Sequence, residues 1–339
     1  MKAAIFRGGD IVVDEVAEPK PAAGQVLVRT LACGICGSDL HAAQHAPRMV
    51  EMSKRVPGRV PMDLSRDVVF GHEFCCEVLD HGPGTGRRLR PGARVVSMPI
   101  ILQGEARLTV GYSNDYPGGY AERMVLAEPL LLEVPNGLSA EHAALTEPLA
   151  VGIHAVEKAA MSSEDAPLVI GCGPVGLAAI VGLRQKGARP IVAADFSPKR
   201  RELAAKMGAD IVIDPAKEQP YAKLPAGRRA VIFECVGVPG LLQQIFEAAP
   251  RDARIVVAGV CMEPDRLEPF FGIVKELALQ FVLGYTPEEF ARCLRLLADG
   301  AVDAEALITG KVGLAEVKGA FAELANPDRH TKILVEPWR

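Results

Sequence analysis

The middle of the chain alternates short apolar runs with longer stretches of helical periodicity. The apolar runs between residues 167 and 259 are PLVIG, IVAAD, IVID, AVIFEC and RIVVAG, and the helical stretches among them are PVGLAAIVGLRQKG, SPKRRELAAKMG and GLLQQIFEAA. Apolar runs without alternation are typical of strands that are buried on both faces. Because such strands alternate here with helices, the pattern predicts βαβ units and an α/β fold with a doubly wound parallel sheet.

The two ends of the chain have different patterns. Before residue 150 the runs KAAIF, QVLVRTLAC, FCCEVLD, ARVVSMPI and ERMVLA are separated by Pro and Gly clusters, which predicts a β-rich domain. Residues 42–70 and 103–120 lack a clear period and are expected to be loops, the first of them resembling a lid. Two amphipathic helical stretches and the strand KILVEP follow residue 286. The pattern of the chain therefore changes near residue 150 and again near residue 286.

Composition and charge exclude several classes of protein. The chain has 339 residues, 49% hydrophobic and 24% charged, so an ordered protein of about two domains is expected. Its formal net charge of −4 does not favour nucleic acid or a membrane surface as a partner. The charged N-terminal segment does not resemble a signal peptide, so we expect a cytoplasmic protein with reduced cysteines. Residues 166–183 are uncharged, but their glycines favour a strand followed by a helix over a membrane span.

A glycine-rich turn follows the first apolar strand of the middle section. It consists of Gly171, Cys172, Gly173, Pro174, Val175 and Gly176. This pattern lies between a strand and a helix, as it does in dinucleotide sites, where the glycines permit a tight turn and close approach of the pyrophosphate. The helix N-terminus then faces the pyrophosphate. A glycine-rich turn without a ligand is the alternative.

Asp195 ends the next strand, 19 positions beyond Gly176. Its carboxylate is expected to accept hydrogen bonds from the adenosine ribose and to repel a 2′-phosphate, which predicts NAD rather than NADP. Arg200, between Lys199 and Arg201, is a further candidate for cofactor binding. We expect the helical pattern to turn most of this basic cluster toward solvent.

Three separate fragments carry candidate metal ligands. They are Cys33-Gly-Ile-Cys36-Gly-Ser38-Asp39-Leu-His41, Gly71-His72-Glu73 and Glu147-Pro148. Zinc accepts thiolate, imidazole and carboxylate ligands, and a catalytic zinc has about three of them plus one exchangeable position. Cys36, His72 and a glutamate are able to form such a set. The spacing alone leaves a Cys33–Cys36 redox pair or half of a structural zinc site as alternatives.

These motifs resemble those of one enzyme family. CGICGSDLH, GHE and EPLAVGIHA, followed by GCGPVG and Asp195, are similar to the zinc-dependent medium-chain alcohol dehydrogenases, especially the sorbitol and butanediol dehydrogenase branch. The resemblance spans nearly the whole chain. It implies a GroES-like catalytic domain (1–152 and 286–339) and a Rossmann NAD-binding domain (153–285). The implied activity is hydride transfer between NAD and a secondary alcohol, polyol or sugar-like substrate.

The resemblance also implies roles for single residues. Cys36 and His72 correspond to zinc ligands, Glu73 is adjacent, and Glu147 either ligates zinc or holds its water. Cys33 is then a bystander.

The same resemblance implies a route for the proton. Ser38 corresponds to a relay hydroxyl that His41 extends, and Asp39 to the carboxylate that orients His72. The local alternatives are a turn residue for Ser38 and a helix cap for Asp39.

The chain departs from the family pattern at three places. Residues 97–120 contain no Cys where many members bind a structural zinc, so we expect one catalytic zinc per subunit and no structural zinc. Cys76 stands where a Gly commonly follows the GHE motif. The 42–70 segment is longer than is common and is expected to shape the substrate pocket.

Partners and alternatives follow from the same resemblance. Family members pair strands of their nucleotide domains, which here concerns residues 261–285, so a homodimer or homotetramer is expected. The other partner is a small alcohol or carbonyl substrate. Two other hypotheses are a zinc-free enone or quinone reductase of the same superfamily and a non-catalytic nucleotide-binding protein. Relatives of the first kind usually lack counterparts of Cys36, His72 and Glu73.

Overall fold

A computed structural model describes residues 1–104 and 106–339. The chain forms two compact units. The first contains Met1–Glu147 and Phe290–Arg339, and the second contains Pro148–Glu289.

The regular elements follow one another along the chain in three groups. The first group is β1 (Lys2–Arg7), β2 (Asp10–Glu15), β3 (Gln25–Gly34), α1 (Gly37–Gln44), α2 (Ala46–Lys54), β4 (Glu73–His81), β5 (Arg94–Ser97), β6 (Ile100–Gln103), β7 (Ala106–Thr109), β8 (Arg123–Ala127), β9 (Leu131–Glu133) and α3 (Ala140–Ala144). The second is α4 (Thr146–Lys158), β10 (Asp165–Ile170), α5 (Pro174–Gln185), β11 (Val192–Ala194), α6 (Pro198–Met207), β12 (Ile211–Ile213), β13 (Arg229–Glu234), α7 (Leu241–Ala248), β14 (Arg254–Val257), α8 (Pro269–Val274) and β15 (Ala278–Phe281). The third is α9 (Pro287–Ala298), α10 (Ala304–Leu307), β16 (Gly310–Val312), α11 (Val317–Leu324) and β17 (Ile333–Val335).

The first unit is built on a mainly antiparallel sheet in the order β16-β17-β3-β4-β5-β9, with β8 also paired to β3. β3 is the longest strand and lies between β4 and β17, so it sets the register of both. Gly34 at its end is opposite Glu73 of β4 and Leu334 of β17. The segments that flank the ends of these three strands are therefore close together.

The second unit contains a parallel sheet in the order β12-β11-β10-β13-β14-β15. Chain order reverses at β10, since β11 lies on one side of it and β13 on the other. In open α/β sheets ligands bind at the carboxyl ends of the strands beside such a reversal. The turn 171–176 follows β10 there, and Asp195 follows β11.

The fold class predicted from the sequence is confirmed. The apolar runs of the middle section form parallel strands, and their central side chains, such as Leu168, Val192 and Ile232, are fully buried. The uncharged stretch 166–183 lies in β10 and α5. Among the described residues, none of the helices has the length and apolar character needed to cross a membrane.

The 42–70 segment differs from the expected loop. Its first part lies in α1 and α2, which are separated by His45, and the residues beyond Lys54 lie outside helices and strands. Pro47 lies in the first turn of α2, where a missing N–H costs no helical hydrogen bond, and it did not signal a helix in the sequence pattern. The expected loop 103–120 is a loop only from residue 110 onward, because Gln103 ends β6 and Ala106–Thr109 forms β7.

Candidate functional site

The register of β3, β4 and β17 brings three candidate ligands together. Cys36 follows β3, His72 precedes β4, and Glu73 begins β4. One ligand atom from each lies within 4.8 Å of the others. Thiolate, imidazole and carboxylate are the donor types that zinc accepts in proteins.

The carboxylate of Glu73 in this group is buried and is paired with a buried lysine. Glu73 is 1% exposed, and the Nζ of Lys332, itself 2% exposed, donates to its two oxygens at 2.8 and 2.6 Å. Lys332 also donates to the carbonyl of Ile35 at 3.0 Å. Although burial lowers the pKa of Lys332, the charges of Glu73 and Cys36 raise it above its usual value. The lysine therefore stays charged beside the ligand group.

Gly34 is required by this ion pair. A Cβ at Gly34 would lie 2.1 Å from Oε2 of Glu73. Any side chain there would displace the carboxylate from Lys332.

Asp39 is also buried and receives donors from several parts of the chain. Its Oδ2 accepts from the Tyr120 hydroxyl at 2.7 Å and from the Cys36 N–H at 3.1 Å, and its Oδ1 accepts from the Tyr112 hydroxyl at 2.8 Å. Burial alone would raise the pKa of Asp39, but His72 and these donors hold it below its ordinary value. Asp39 is therefore a carboxylate in the folded chain.

His72 lies between Asp39 and Ser38. Its Nδ1 is 3.2 Å from Oδ1 of Asp39, without the alignment of a directed hydrogen bond, and its Nε2 is 3.4 Å from the Ser38 hydroxyl. Burial by itself lowers the pKa of His72, but Asp39 and Cys36 outweigh it and hold the pKa well above its usual range. For the Cys36 thiol, burial raises the pKa, and Glu73 raises it further.

Two other predicted site residues lie outside this ligand group. Glu147 is 8% exposed in the first turn of α4, and its charge contributes to the raised pKa of Lys332. His41 stacks on His45 with ring centroids 6.3 Å apart, and burial lowers its pKa. Within the part of the chain that is described, no hydrogen bond joins His41 to Ser38, so its place in a relay stays a prediction.

Sequence reasoning missed three residues of this site: Lys332, Tyr112 and Tyr120. The tyrosines belong to the 110–120 loop, which packs along the segment before His72 through the bonds Gly118 N–H to Val69 O and Tyr120 N–H to Phe70 O. A lysine that opens the apolar strand KILVEP was the one available signal for Lys332.

The cysteines near the site are buried in the sheet. Cys33 and Cys76 have no measurable exposure, and burial raises the pKa of both thiols well above the usual range. Cys76 lies in β4 opposite Thr30 of β3, where it packs in the hydrophobic core.

The glycine-rich turn of the second unit has the backbone that its pattern predicts. Gly171 has a φ of +89°, and a Cβ on Gly176 would lie 1.8 Å from the Gly171 carbonyl oxygen. A Cβ on Gly173 would meet only the end of the Arg200 side chain, at 3.8 Å. Pro174 and Val175 form the first turn of α5. The side of the turn at Gly173 is therefore open to a ligand.

Asp195 supports this turn from the neighbouring strand. Its carboxylate accepts from the N–H of Cys172 at 2.7 Å and from the N–H of Ser197 at 2.8 Å. It is 8% exposed. The expectation that the basic cluster points mostly to solvent is wrong for two of its three members.

The side chains of Arg200 and Arg201 turn away from solvent toward the end of β11, because oxygen atoms of Asp195 and Phe196 lie there. The Arg200 side chain is 22% exposed, with Nη1 4.0 Å from Asp195 Oδ2. Arg201 is 18% exposed and donates to the carbonyls of Asp195 and Phe196. Lys199 is exposed as expected.

Two family models match the chain. The alcohol dehydrogenase GroES-like domain matches residues 22–136, and the zinc-binding dehydrogenase model matches residues 174–299.

Curated relatives cover nearly the full length. The (R,R)-butanediol dehydrogenase of Bacillus subtilis is 33% identical, with 99% of this chain and 100% of the relative covered. An erythritol/L-threitol dehydrogenase of Mycolicibacterium smegmatis is 29% identical over 99% and 98% of the two chains. The sorbitol dehydrogenase of Bos taurus is 28% identical over 97% and 93%.

Solved structures agree with these relatives. The crystal structure of 2R,3R-butanediol dehydrogenase from Bacillus subtilis matches with a TM-score of 0.83 and 32% identity, covering 99% of both chains. A structure described as a zinc-binding dehydrogenase from Sinorhizobium meliloti bound to NADP matches with a TM-score of 0.82 and 27% identity, again over 99% of both chains.

The fold, the motifs and these relatives together define an oxidoreductase of alcohols or polyols. The chain belongs to the zinc-type medium-chain alcohol dehydrogenase family, in its butanediol and polyol branch.

The glycine turn generates a paired prediction. Gly173→Ala should keep the fold, because its φ of −71° suits alanine, yet weaken NADH binding at least roughly tenfold by placing a methyl group in the path of the pyrophosphate. Gly176→Ala should instead lower the melting temperature, because its Cβ overlaps Gly171. Fluorescence titration with NADH and thermal denaturation measure the two effects. Wild-type NADH affinity in Gly173→Ala would contradict the assignment of the turn.

Proposed function

We propose that the chain is a zinc- and NAD-dependent dehydrogenase of a secondary alcohol in a small diol, polyol or sugar-like substrate. The observation that carries the proposal is the buried group of Cys36, His72 and Glu73. The names of the relatives, which include butanediol, erythritol/L-threitol and sorbitol dehydrogenases, support the substrate class. The first unit then holds the metal and the second binds the cofactor.

The charge balance of the site supports a divalent cation. With Cys36 as a thiolate, the site contains three negative groups, Cys36, Asp39 and Glu73, against the one positive charge of Lys332. Buried charges are costly unless they are paired. A divalent cation restores neutrality and favours the thiolate, whereas without one the raised pKa values leave protons on Cys36 and His72.

Cys36 and His72 are proposed as zinc ligands, and Glu73 is the third candidate. Both oxygens of Glu73 accept from Lys332 but keep further lone pairs. Glu147 is the alternative, either as a ligand or through a water. Bound at these residues, zinc would supply polarisation of the substrate oxygen, and NAD bound by the second unit would supply the hydride acceptor.

Residues of the chain are proposed to orient His72 and to transfer the proton of the substrate hydroxyl. Asp39 faces Nδ1 of His72 and favours the tautomer whose Nε2 is free to bind a cation. The Ser38 hydroxyl, 3.4 Å from that Nε2, is placed to accept the proton of a substrate hydroxyl bound beside it while it gives up its own hydrogen to the next group of the relay. We propose His41 as the next group on the way to solvent.

Metal binding and proton transfer are separable by mutation. We expect about one zinc per wild-type subunit, since residues 97–120 contain no thiol for a second site. Cys36→Ser should lose zinc and activity together, because a hydroxyl is a poor substitute for a thiolate. Ser38→Ala should keep its zinc and lose turnover.

Elemental analysis and steady-state kinetics across pH, with diols, polyols and sugars as substrates, measure these effects. Two tightly held zincs per chain would overturn the single-site proposal. A zinc-free wild type that reduces enones would favour the reductase alternative. Wild-type turnover of Ser38→Ala at every pH would remove Ser38 from the relay.

NAD is proposed over NADP because of Asp195. A 2′-phosphate at the ribose would place a second anion beside this nearly buried carboxylate. Arg200 is the opposing feature, because its guanidinium lies beside Gly173 and Asp195, and one matched structure holds NADP. The two backbone N–H groups bound to Asp195 hold the carboxylate at the turn, which favours NAD.

We expect kcat/KM with NAD to exceed kcat/KM with NADP by at least roughly tenfold, or about 1.4 kcal/mol. Asp195→Ala should reduce the difference in kcat/KM between NAD and NADP. Arg200→Gln should lower kcat/KM with NADP more than with NAD. Kinetics with both cofactors measure this, with thermal denaturation as the control for loss of the Asp195 hydrogen bonds. Equal efficiency of the wild type with NAD and NADP would contradict the proposal.

A homodimer or homotetramer is proposed from one edge of the parallel sheet. β15 is an edge strand of this sheet, and Phe281 and Leu283 are 63% and 73% exposed. Phe270 and Ile273 of α8 add exposures of 67% and 73%. An unpaired edge with exposed apolar side chains is a surface that a second copy of the chain can cover.

The oligomer is testable with a matched pair of charge substitutions. Phe281→Lys should shift the protein to monomer, whereas Val212→Lys on β12, the opposite edge strand, should not. Val212 is 39% exposed, so both lysines are accommodated at a surface. Sedimentation velocity measures the outcome. A monomeric wild type, or unchanged assembly of Phe281→Lys, would exclude β15 as the interface.

A further inference from the structure

Tyr112 connects the residues around the ligand group in a way that the proposed mechanism does not use. Its hydroxyl is 2.8 Å from Asp39 Oδ1 and 3.0 Å from the Ser38 hydroxyl. Its ring packs against His72 with centroids 5.3 Å apart, and against Phe70 at 5.8 Å. Tyr112 therefore contacts both the Ser38 hydroxyl, proposed above as the relay group, and the carboxylate that faces His72.

The number of hydrogens determines the direction of these bonds. A tyrosine hydroxyl carries one hydrogen, and a carboxylate can only accept. The Tyr112 hydrogen therefore goes to Asp39, and the Ser38 hydroxyl donates to the Tyr112 oxygen. This arrangement leaves the lone pairs of Ser38 free for another donor.

The alternative acceptor for Ser38 is His72. Apart from Tyr112, the side-chain acceptor within hydrogen-bond distance of Ser38 in the described chain is Nε2 of His72, at 3.4 Å. If the Ser38 hydrogen turned to that nitrogen, it would occupy the lone pair that a metal ion needs.

We propose that Tyr112 is a positioning residue that holds the Ser38 hydrogen away from His72 and so keeps Nε2 free for zinc and the Ser38 oxygen free for the substrate proton. The inference rests on the proposed zinc site. It assigns a function to the 110–120 loop, since this loop supplies the hydroxyl that orients Ser38.

Tyr120 is the natural comparison within the same loop. Its hydroxyl also donates to Asp39, at 2.7 Å, but its other polar neighbour is the Gly34 carbonyl at 3.4 Å rather than Ser38. Tyr120→Phe therefore removes a donor from Asp39 without releasing Ser38. Tyr116, whose hydroxyl contacts Gln25 at 3.4 Å, lies outside the network.

The test is the rate at which the zinc-loaded protein loses metal to an excess of a chromogenic chelator. Tyr112→Phe keeps the ring and should accelerate zinc loss at least roughly fivefold and lower kcat. In the Ser38→Ala background, the same substitution should leave the rate of zinc loss unchanged, because the competing hydroxyl is absent. Tyr116→Phe should leave the rate of zinc loss unchanged, both in the wild type and in the Ser38→Ala background.

The double-mutant comparison separates positioning from general support of the loop. Equal acceleration by Tyr112→Phe with and without Ser38, or an acceleration no greater than that of Tyr120→Phe, would overturn the positioning role. Wild-type zinc loss in Tyr112→Phe would overturn it as well. A wild-type protein that holds no zinc would overturn the proposed function and this inference together. Circular dichroism of each variant confirms that the fold is retained.

Discussion

The site is organised by the need to compensate two buried carboxylates that lie within one small region of the first unit. Asp39 and Glu73 are almost fully excluded from solvent, and an unpaired charge in that position is strongly destabilising. Glu73 is paired with Lys332, which requires Gly34 to be free of a side chain. Asp39 is satisfied by two tyrosine hydroxyls and a backbone N–H. These contacts account for the positions of β17, of the loop 110–120 and of the segment after β3.

The same compensation prepares the site for a cation. Lys332 offsets Glu73, so the negative charges that are still to be balanced are those of Asp39 and of Cys36 as a thiolate. Protons do this when no metal is bound, and a divalent ion does it when the ligands are deprotonated. The second unit contributes a separate preorganised element, since Asp195 holds the backbone of the glycine turn through Cys172 and Ser197.

The departures from the family pattern have structural consequences that differ in weight. Cys76 is accommodated in the core beside Thr30. The lack of cysteines in 97–120 coincides with a β6–β7 hairpin and a tyrosine-bearing loop that bonds to the strand segment before His72. That segment is therefore held by backbone hydrogen bonds and by Tyr112 and Tyr120, which also contact Asp39.

The sequence by itself determined the fold class, because buried parallel strands and helices impose hydrophobic patterns that are visible locally. It also determined the candidate ligands Cys36, His72 and Glu73 and the glycine turn, since these functions require particular residue types at short spacings. Only the tertiary structure decided that Lys332 pairs with Glu73 from 259 positions away, and that Tyr112 reaches Asp39 across 73. It also decided that the side chains of Arg200 and Arg201 turn from α6 back toward Asp195 at the end of β11. Such partners are selected by long-range packing and by the cost of an unpaired buried charge, neither of which leaves a periodic or spaced signal in the chain.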